Sequence, residues 1–476
     1  MDTTTTSRAG RLLTIWTPED KAFWAREGEA IAKLNLWISV PALFLAFAVW
    51  QVWSVVAVSL PTLGFNYTTN QLFWLAAAPA LSGATLRIFY SFMVPLVGGR
   101  RWTALSTASL LIPTIGIGIA VQDPSTPYPT MLVLALLCGL GGGNFSSSMA
   151  NISYFFPNDR KGSALGVNAG LGNLGVSVVQ FLSPIVVTVG VLGVFGGEPQ
   201  TIVRDGEQVK VWMQNAAFIW VPWIALAAVI AWFVMNDVAD AKASVAAQAA
   251  IFGQPHNWIM CLLYLGTFGS FIGFAAGFPL LIKSQFPDVN PLAYAWLGPL
   301  VGAVVRPFGG WLSDKVGGGV VTMWNFLVMA LAVLGVLWFL PKGAGGYALP
   351  FGPAGGSFTG FFLMFLVLFV TTGIGNGSTF RMIPVIFNTL AMRGAGPGAA
   401  EQAAAIKESN VLGAAAVGFA GALGAYGGFF IPKSYGSSIA ATGGPEAALW
   451  IFVAFYLLCV AVTWWYYARR HAPMPC

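Results

Sequence analysis

The sequence has very little charge. Only 8% of its 476 residues are charged, against about 25% in a soluble globular protein. Hydrophobic residues make up 57% of the chain, and the mean hydropathy is +0.74. Such a chain cannot cover a water-facing surface, so lipid must solvate much of it. This excludes an ordinary soluble multidomain protein, and the net charge of +6 indicates membrane topology and not nucleic-acid binding.

Groups that bind metals or act as nucleophiles are also scarce. The four cysteines show no CxxC spacing, and neither histidine, His256 or His471, has a helical partner one turn away. No nucleophile–base pair and no nucleotide-binding loop is present. We therefore expect no disulfide framework, no metal and no cofactor. An enzyme and an ATP-driven pump are disfavoured for the same reason.

Long uncharged intervals are what the chain has instead. Each is about 20 residues or longer, which is the length that crosses a bilayer. They predict twelve transmembrane helices, at residues 34–60, 71–97, 102–121, 129–153, 162–194, 216–235, 256–282, 291–313, 318–340, 358–386, 409–432 and 446–468.

The basic residues predict the orientation of these spans. Twelve spans place both termini on one side of the membrane. If that side is cytoplasmic, 15 Lys and Arg residues lie inside and five lie in outside loops. By the positive-inside rule, we expect a multi-pass protein of the cytoplasmic (inner) membrane, with a cytoplasmic N-terminal segment at 1–33 and a cytoplasmic tail at 469–476.

The two halves of the chain repeat each other. A polar linker at 236–255 separates spans 34–235 from spans 256–468. Residues 87–89 (RIF) and 97–99 (VGG) match 306–308 (RPF) and 316–318 (VGG) in identical register. A 6+6 parallel repeat is the layout of major-facilitator transporters. The predicted fold is an all-α integral membrane protein, with twelve transmembrane helices in two pseudo-symmetric six-helix bundles.

Two charges lie deep inside predicted spans. Arg87 is in the second span and Arg306 is in the equivalent eighth span. Burying an arginine near the bilayer midplane costs at least about 2.5–3.5 kcal/mol, so such residues usually act in an internal cavity. No Asp or Glu lies in the interior of a span to pair with them. We expect the two guanidinium groups to face each other and to hold a small planar anion with their planar forks.

A glycine or an alanine recurs at every third position in spans five and eleven. Gly166, Ala169, Gly172 and Gly175 match Gly418, Gly421, Gly424 and Gly427. Such a face permits close helix–helix packing. It equally permits backbone approach to a substrate or sliding of the halves, and the sequence leaves both interpretations open. Asn173 lies in the first track and is a candidate hydrogen-bond donor to the anion.

A short loop after the eighth span also carries a pattern. Residues 310–318 (GWLSDKVGG) resemble the cytoplasmic signature between the second and third helices of a major-facilitator half. In that interpretation Asp314 caps a neighbouring helix and stabilises one conformational state. The alternative is an ordinary short turn.

Several stretches resemble the nitrate/nitrite porter family, the NarK-like transporters. They are 86–95 (LRIFYSFMVP), 144–153 (NFSSSMANIS), 166–177 (GVNAGLGNLGVS), 264–273 (YLGTFGSFIG) and 424–432 (GAYGGFFIP). The resemblance runs through nearly the whole chain after residue 34. It implies that nitrate and nitrite are the substrates and that Arg87 and Arg306 clamp the anion.

The resemblance also implies further site residues. Asn173 and Tyr264 would donate hydrogen bonds, and Phe145, Phe268 and Phe380 would enclose the plane of the anion. Phe47 is a weaker candidate. This sequence departs from the family pattern at Asn376, where a smaller polar residue is usual, and at Arg381, where an uncharged residue is usual. We expect Arg381 to pair with Glu408; the alternative is a third positive charge near the cytoplasmic mouth.

The resulting hypothesis is an electroneutral nitrate/nitrite exchanger that acts as a monomer in the lipid bilayer. It follows from the absence of an Asp, Glu or His inside the spans, since a proton symporter needs a titrating group beside its cavity. The alternatives are a nitrate–proton symporter and, from a different class, a nitrate-sensing transceptor or a channel-like anion protein.

Overall fold

The computed structural model describes residues 8–9, 11–204, 207–239, 250–342, 353 and 355–476. In this part of the chain, eleven helices are long and apolar enough to cross a membrane, and a twelfth, α8, occupies the remaining predicted span. The twelve helices are α1 Lys21–Leu63, α2 Thr69–Tyr90, α3 Gly99–Ala120, α4 Tyr128–Phe155, α5 Asn158–Val186, α6 Asn215–Val234, α7 Pro255–Gln285, α8 Leu297–Val316, α9 Gly318–Phe339, α10 Phe358–Gly394, α11 Ala399–Thr442 and α12 Glu446–Ala468.

Each predicted span therefore overlaps one of these helices. Several helices extend beyond the predicted bounds, whereas α2 ends at Tyr90 and α5 at Val186, before the predicted ends at 97 and 194. Polar residues cap some of the extended ends, and π-helical turns continue α1 at Trp24–Gly28 and α12 at Trp464–Ala468. α1 begins where the Asp20 carboxylate accepts hydrogen bonds from the backbone N–H groups of Ala22 and Phe23, which satisfies donors that have no partner within the helix. α10 begins in the same way at Ser357, which accepts from Gly360. Residues 240–249 of the predicted linker lie outside the described residues.

The chain forms two compact units. Unit one consists of Met1–Val52, Thr62–Phe65 and Ser82–Ser244. Unit two consists of Trp53–Pro61, Asn66–Leu81 and Val245–Cys476. Adjacent ends of α1 and α2 therefore belong to unit two, whereas the predicted halves divide the chain at the linker alone; that simpler division stays a prediction.

The segment before α1 is packed into unit one. Trp16 is buried in one apolar cluster with Phe155 and Phe156 and with Phe23 from the first turn of α1. The Trp16 indole N–H donates to the carbonyl of Tyr154 over 2.9 Å. The sequence suggested only a polar N-terminal segment, because its apolar residues are too few and too irregularly spaced to indicate a core.

Short strands tie this segment to the end of α6. Strand β1 (Arg8–Ala9) pairs antiparallel with β2 (Leu12–Leu13), and β2 pairs parallel with β5 (Asp237–Val238). Unit one also holds a separate antiparallel hairpin of β3 (Gln200–Arg204) and β4 (Glu207–Val211) between α5 and α6.

The sequence repeat is visible in the backbone. Gly98 and Gly317 have φ values of 96° and 92° immediately before α3 and α9, in the region that favours glycine. In each half, the glycine one turn before the buried arginine contacts the fourth helix of that half: Gly83 contacts α4, and Gly302 contacts α10. A methyl group at Gly83 would lie 3.1 Å from Gly142 Cα, and one at Gly373 would collide with the carbonyl of Gly302. These close approaches place Arg87 beside α4 and Arg306 beside α10.

Candidate functional site

Arg87 is fully buried in unit one, against α4. Its Nε donates to the carbonyl of Gly142 over 2.8 Å. Its guanidinium carbon lies 4.7 Å from the centre of the Phe145 ring and 5.0 Å from that of Trp50. An aromatic face attracts a cation, and more strongly where water is excluded. The rings and the carbonyl therefore hold the guanidinium in place without neutralising its charge.

Arg306 has an equivalent environment in unit two. It is 9% exposed, and its guanidinium carbon lies 5.4 Å from the centre of the Phe380 ring. Within the described residues it forms no hydrogen bond or ion pair, and its Nη1 atom is enclosed. Arginine stays protonated in proteins, so this side chain carries a buried positive charge that the described residues do not balance.

Tyr264 and Phe268 form a stacked aromatic pair in α7. Their ring centres are 5.4 Å apart and their planes differ by 18°. A π-helical turn at Leu265–Gly269 directly follows Tyr264 and contains Phe268, and such turns are frequent at functional sites. Gly424 of α11 lies against this pair, because a methyl group there would be 2.8 Å from Tyr264 Cδ1. Thus two predicted site residues and one predicted gating residue are in contact.

Asn173 is 1% exposed in α5. Its side chain forms no hydrogen bond with the described part of the chain, and its Oδ1 atom is enclosed. Phe47, the weaker candidate, lies against Phe145 with ring centres 6.1 Å apart. Unit one therefore brings Arg87, Phe145 and Phe47 together and leaves the Asn173 amide available to another partner.

The glycine tracks divide into packed and open positions. In α5, a methyl group at Gly172 would lie 2.7 Å from Leu43 Cγ, and a methyl group at Gly175 would collide with the Phe44 carbonyl. A methyl group at Gly166 would have none of the described heavy atoms of its surroundings within 4 Å. In α11, a methyl group at Gly427 would collide with Gly269, and Gly418 is open like Gly166. Of the two interpretations of the tracks, close helix packing therefore accounts for Gly172, Gly175, Gly424 and Gly427. The role predicted for Gly421 stays a prediction.

Asp314 has a different partner from the one expected. Arg381 Nε donates to its Oδ1 over 2.5 Å, so Arg381 pairs with Asp314 and not with Glu408. No backbone group at a helix start donates to Asp314 in the described structure; at the start of α9 the capping residue is Gly317. The predicted Lys407–Glu408 pair lies outside the described side chains, because that of Lys407 is not among them.

Sequence reasoning missed three features of these surroundings. The Trp50 ring lies beside the Arg87 guanidinium together with that of Phe145. Phe268 lies in a π-helical turn that follows Tyr264. Asn376 lies on the face of α10 that carries Phe380. Of these, only Asn376 gave a signal in the sequence, as a departure from the family pattern. The tryptophan was one of 19, and apolar spacing does not predict a π-turn.

Each unit therefore presents a buried guanidinium held against a phenylalanine ring. Such a group binds a small oxyanion through parallel N–H···O hydrogen bonds. A flat anion suits a planar fork flanked by aromatic faces better than a bulky tetrahedral ester does.

Comparisons with known proteins show what the chain is similar to. Residues 42–408 match the model of the Major Facilitator Superfamily. The chain is 52% identical over 461 residues to the nitrate/nitrite transporter NarU of Salmonella typhimurium, covering 96% of both chains. It is 40% identical to the probable nitrate/nitrite antiporter NarK2 of Thermus thermophilus, covering 99% of both.

Solved structures agree on the fold. A D-xylose–proton symporter superposes with a TM-score of 0.61 at 14% identity, covering 91% of this chain and 97% of that one. At such identity the likeness shows the fold alone. This likeness and the family match confirm the predicted fold. The family match and the two relatives confirm the predicted relationship: the chain belongs to the major facilitator superfamily and, within it, to the NarK-like nitrate/nitrite porters.

Proposed function

We propose that this protein is a secondary active transporter that exchanges nitrate for nitrite by alternating access, with one anion bound by Arg87 and Arg306 together. The observation that carries the proposal is the pair of buried arginines at equivalent positions of the repeat, each beside a phenylalanine ring. The names of the relatives, which are nitrate/nitrite transporters and a probable antiporter, support the choice of substrates.

The burial of the arginines supports an anionic substrate. A buried charge is costly unless it is paired, and Arg306 has no such partner among the described residues. A bound monovalent oxyanion supplies the missing charge and the missing acceptors. Arg87 and Arg306 are equivalent by the repeat, so one planar anion with oxygens on two sides suits both forks.

The same charges support exchange over net transport. Two arginines that share a site repel each other when it is empty, by about 4 kcal/mol at a separation of about 4 Å and an effective dielectric of about 20. Closing the halves without an anion is therefore disfavoured. Nitrate and nitrite each carry one negative charge and relieve the repulsion alike. Coupling to protons is disfavoured, because the predicted spans contain no interior Asp, Glu or His.

Counterflow in proteoliposomes tests the transport mode. Influx of labelled nitrate should require nitrite or nitrate inside the vesicles and should not respond to an imposed pH gradient. Robust uptake into anion-free vesicles, driven by an inward proton gradient, would replace exchange by symport.

Lysine variants test the binding site. Arg87→Lys and Arg306→Lys keep the charge but remove the planar fork, so each should abolish or severely reduce counterflow. Arg160→Lys is the matched control, since Arg160 is exposed and pairs with Glu29. Transport near that of the unmodified protein in both buried-site variants would eliminate the clamp.

The membrane arrangement is part of the proposal. Fifteen basic residues on the predicted cytoplasmic side and five outside support cytoplasmic termini in the inner membrane. Labelling of cysteines introduced near each terminus, in intact cells, tests this orientation. The binding residues all come from one chain, which supports a functional monomer. Light scattering of the purified protein tests that assignment.

A further inference from the structure

One face of α10 contacts α8 around Arg306. A methyl group at Gly373 would collide with the carbonyl of Gly302, and one at Gly377 would collide with the carbonyl of Arg306 itself. Phe380, one turn further along this face, lies against the Arg306 guanidinium. These contacts fix the direction in which α8 lies from α10.

Asn376 projects from the edge of this face. At 3.6 residues per turn, it lies about 60° around the helix from Gly373 and about 40° from Phe380. Thr379 lies about 60° further on the other side, and its hydroxyl is 3.1 Å from that of Thr267 in α7. Asn376 is therefore directed between Arg306 of α8 and the α7 segment that carries Tyr264 and Phe268.

The Asn376 amide has nothing to bind within the described chain. Its residue is 2% exposed, and the side chain forms no hydrogen bond there, with Oδ1 enclosed. Leaving a buried amide without a partner costs about 1–3 kcal/mol. Such a group beside an arginine that also lacks a partner indicates that a ligand satisfies both.

Comparison of the two halves of the repeat shows that unit one has no amide at the position equivalent to Asn376. Gly142 and Gly373 are equivalent, since each contacts the glycine one turn before its arginine. Three residues later, Phe145 in α4 corresponds to Asn376 in α10. The ring that lies against Arg306 is supplied one turn further on, by Phe380. Unit two thus has a hydrogen-bonding amide where unit one has an aromatic ring.

We propose that Asn376 binds the transported anion and favours nitrate over nitrite. This inference rests on the proposed function, in which Arg306 binds one of these anions. The Asn376 NH₂ group donates to an anion oxygen. Both anions offer two oxygens to the arginines, but only nitrate has a third oxygen for the amide. Nitrite lacks that acceptor and loses little when the amide is removed.

Half-saturation concentrations in counterflow, measured separately for nitrate and nitrite with the full chain, test this inference. Asn376→Ala should raise the nitrate value about tenfold or more, as expected for loss of a hydrogen bond to a charged group, and the nitrite value less than about twofold. Asn325→Ala is the matched control. Asn325 is a buried amide of α9 that lies against Gly375, on the side of α10 turned away from Arg306.

A second variant covers the case in which the alanine variant does not fold. Asn376→Asp has the same shape but replaces the donor by a carboxylate that repels either anion. It should elute as a monodisperse protein and lose transport of both substrates. Unchanged half-saturation in either variant, or an equal rise for both anions in Asn376→Ala, overturns the assignment. Failure of the arginine clamp is recognised separately, as normal transport in Arg306→Lys.

Discussion

The Asp237 carboxylate lies at the start of α3, where its Oδ1 accepts from the backbone N–H of Arg100 over 2.8 Å and its Oδ2 accepts from the Arg100 side chain over 3.1 Å. A carboxylate here satisfies an unpaired backbone donor and interacts favourably with the helix dipole. This is the capping role expected of Asp314. The first half lacks an aspartate at the equivalent loop position, and a residue just after α6 supplies the carboxylate instead.

Asp237→Ala should therefore destabilise the protein. The side chains of Asp237 and Arg100 are only 11% and 14% exposed, so the lost charge-assisted hydrogen bonds should cost about 2 kcal/mol. Thermal unfolding in detergent, followed by tryptophan fluorescence, measures the change. The control is Asp123→Ala, in an exposed loop where the carboxylate accepts from Ser125. Equal unfolding midpoints for the two variants would contradict the capping role.

The glycine tracks predict a positional pattern. Gly172→Leu should greatly reduce the yield of folded protein, because its side chain meets Leu43 of α1, whereas Gly166→Leu should fold normally. The same contrast is expected in α11 between Gly424→Leu and Gly418→Leu. Size-exclusion chromatography of fluorescent fusions gives the monodisperse fraction. Similar fractions within each pair would show that the tracks do not carry the packing.

The phenylalanine rings beside the arginines predict an effect on affinity. Phe380→Leu and Phe145→Leu should each raise the half-saturation concentration for nitrate about fivefold or more, since a desolvated cation–π contact contributes about 1–2 kcal/mol. Phe362→Leu is the control, because that ring of α10 stacks on Phe278 and Phe358. A rise of the same size in the control would assign the effect to packing.

The packed segment before α1 predicts a stability effect far from the arginines. Trp16→Ala removes a ring that is 8% exposed, together with its hydrogen bond to Tyr154, and should cost about 3 kcal/mol. Trp37→Ala, at a position 58% exposed, should change the unfolding midpoint much less. Identical midpoints would mean that the segment is not part of the folded unit.

The helices and both arginines could be predicted from sequence because each depends on local composition. A charge-free interval is enough to indicate a span, and a charge inside it is conspicuous. The pairings of Trp16 with Tyr154, Asp237 with Arg100 and Arg381 with Asp314 could not be predicted. Each joins residues that are 67 to 138 positions apart, and no local pattern encodes such a contact.

The candidate site divides in the same way. Phe145 and Phe380 were identified through family motifs and do lie against their arginines. Trp50 was not identified, because hydropathy does not show which side of an apolar helix a tryptophan occupies. The direction of Asn376 became clear only from the contacts of Gly373 and Gly377 with α8.

The parallel pairing of β2 with β5 has a consequence for biosynthesis. Leu12 pairs with Asp237, and ribosomes synthesise Leu12 first, before any of the six helices that precede its partner. During translation β2 can pair with β1, but its other edge has no β5 to pair with until α6 has been made and inserted. Completion of unit one therefore coincides with the emergence of the linker from the ribosome, and a chain stalled before residue 237 leaves the strand edge of Leu12 and Leu13 unpaired.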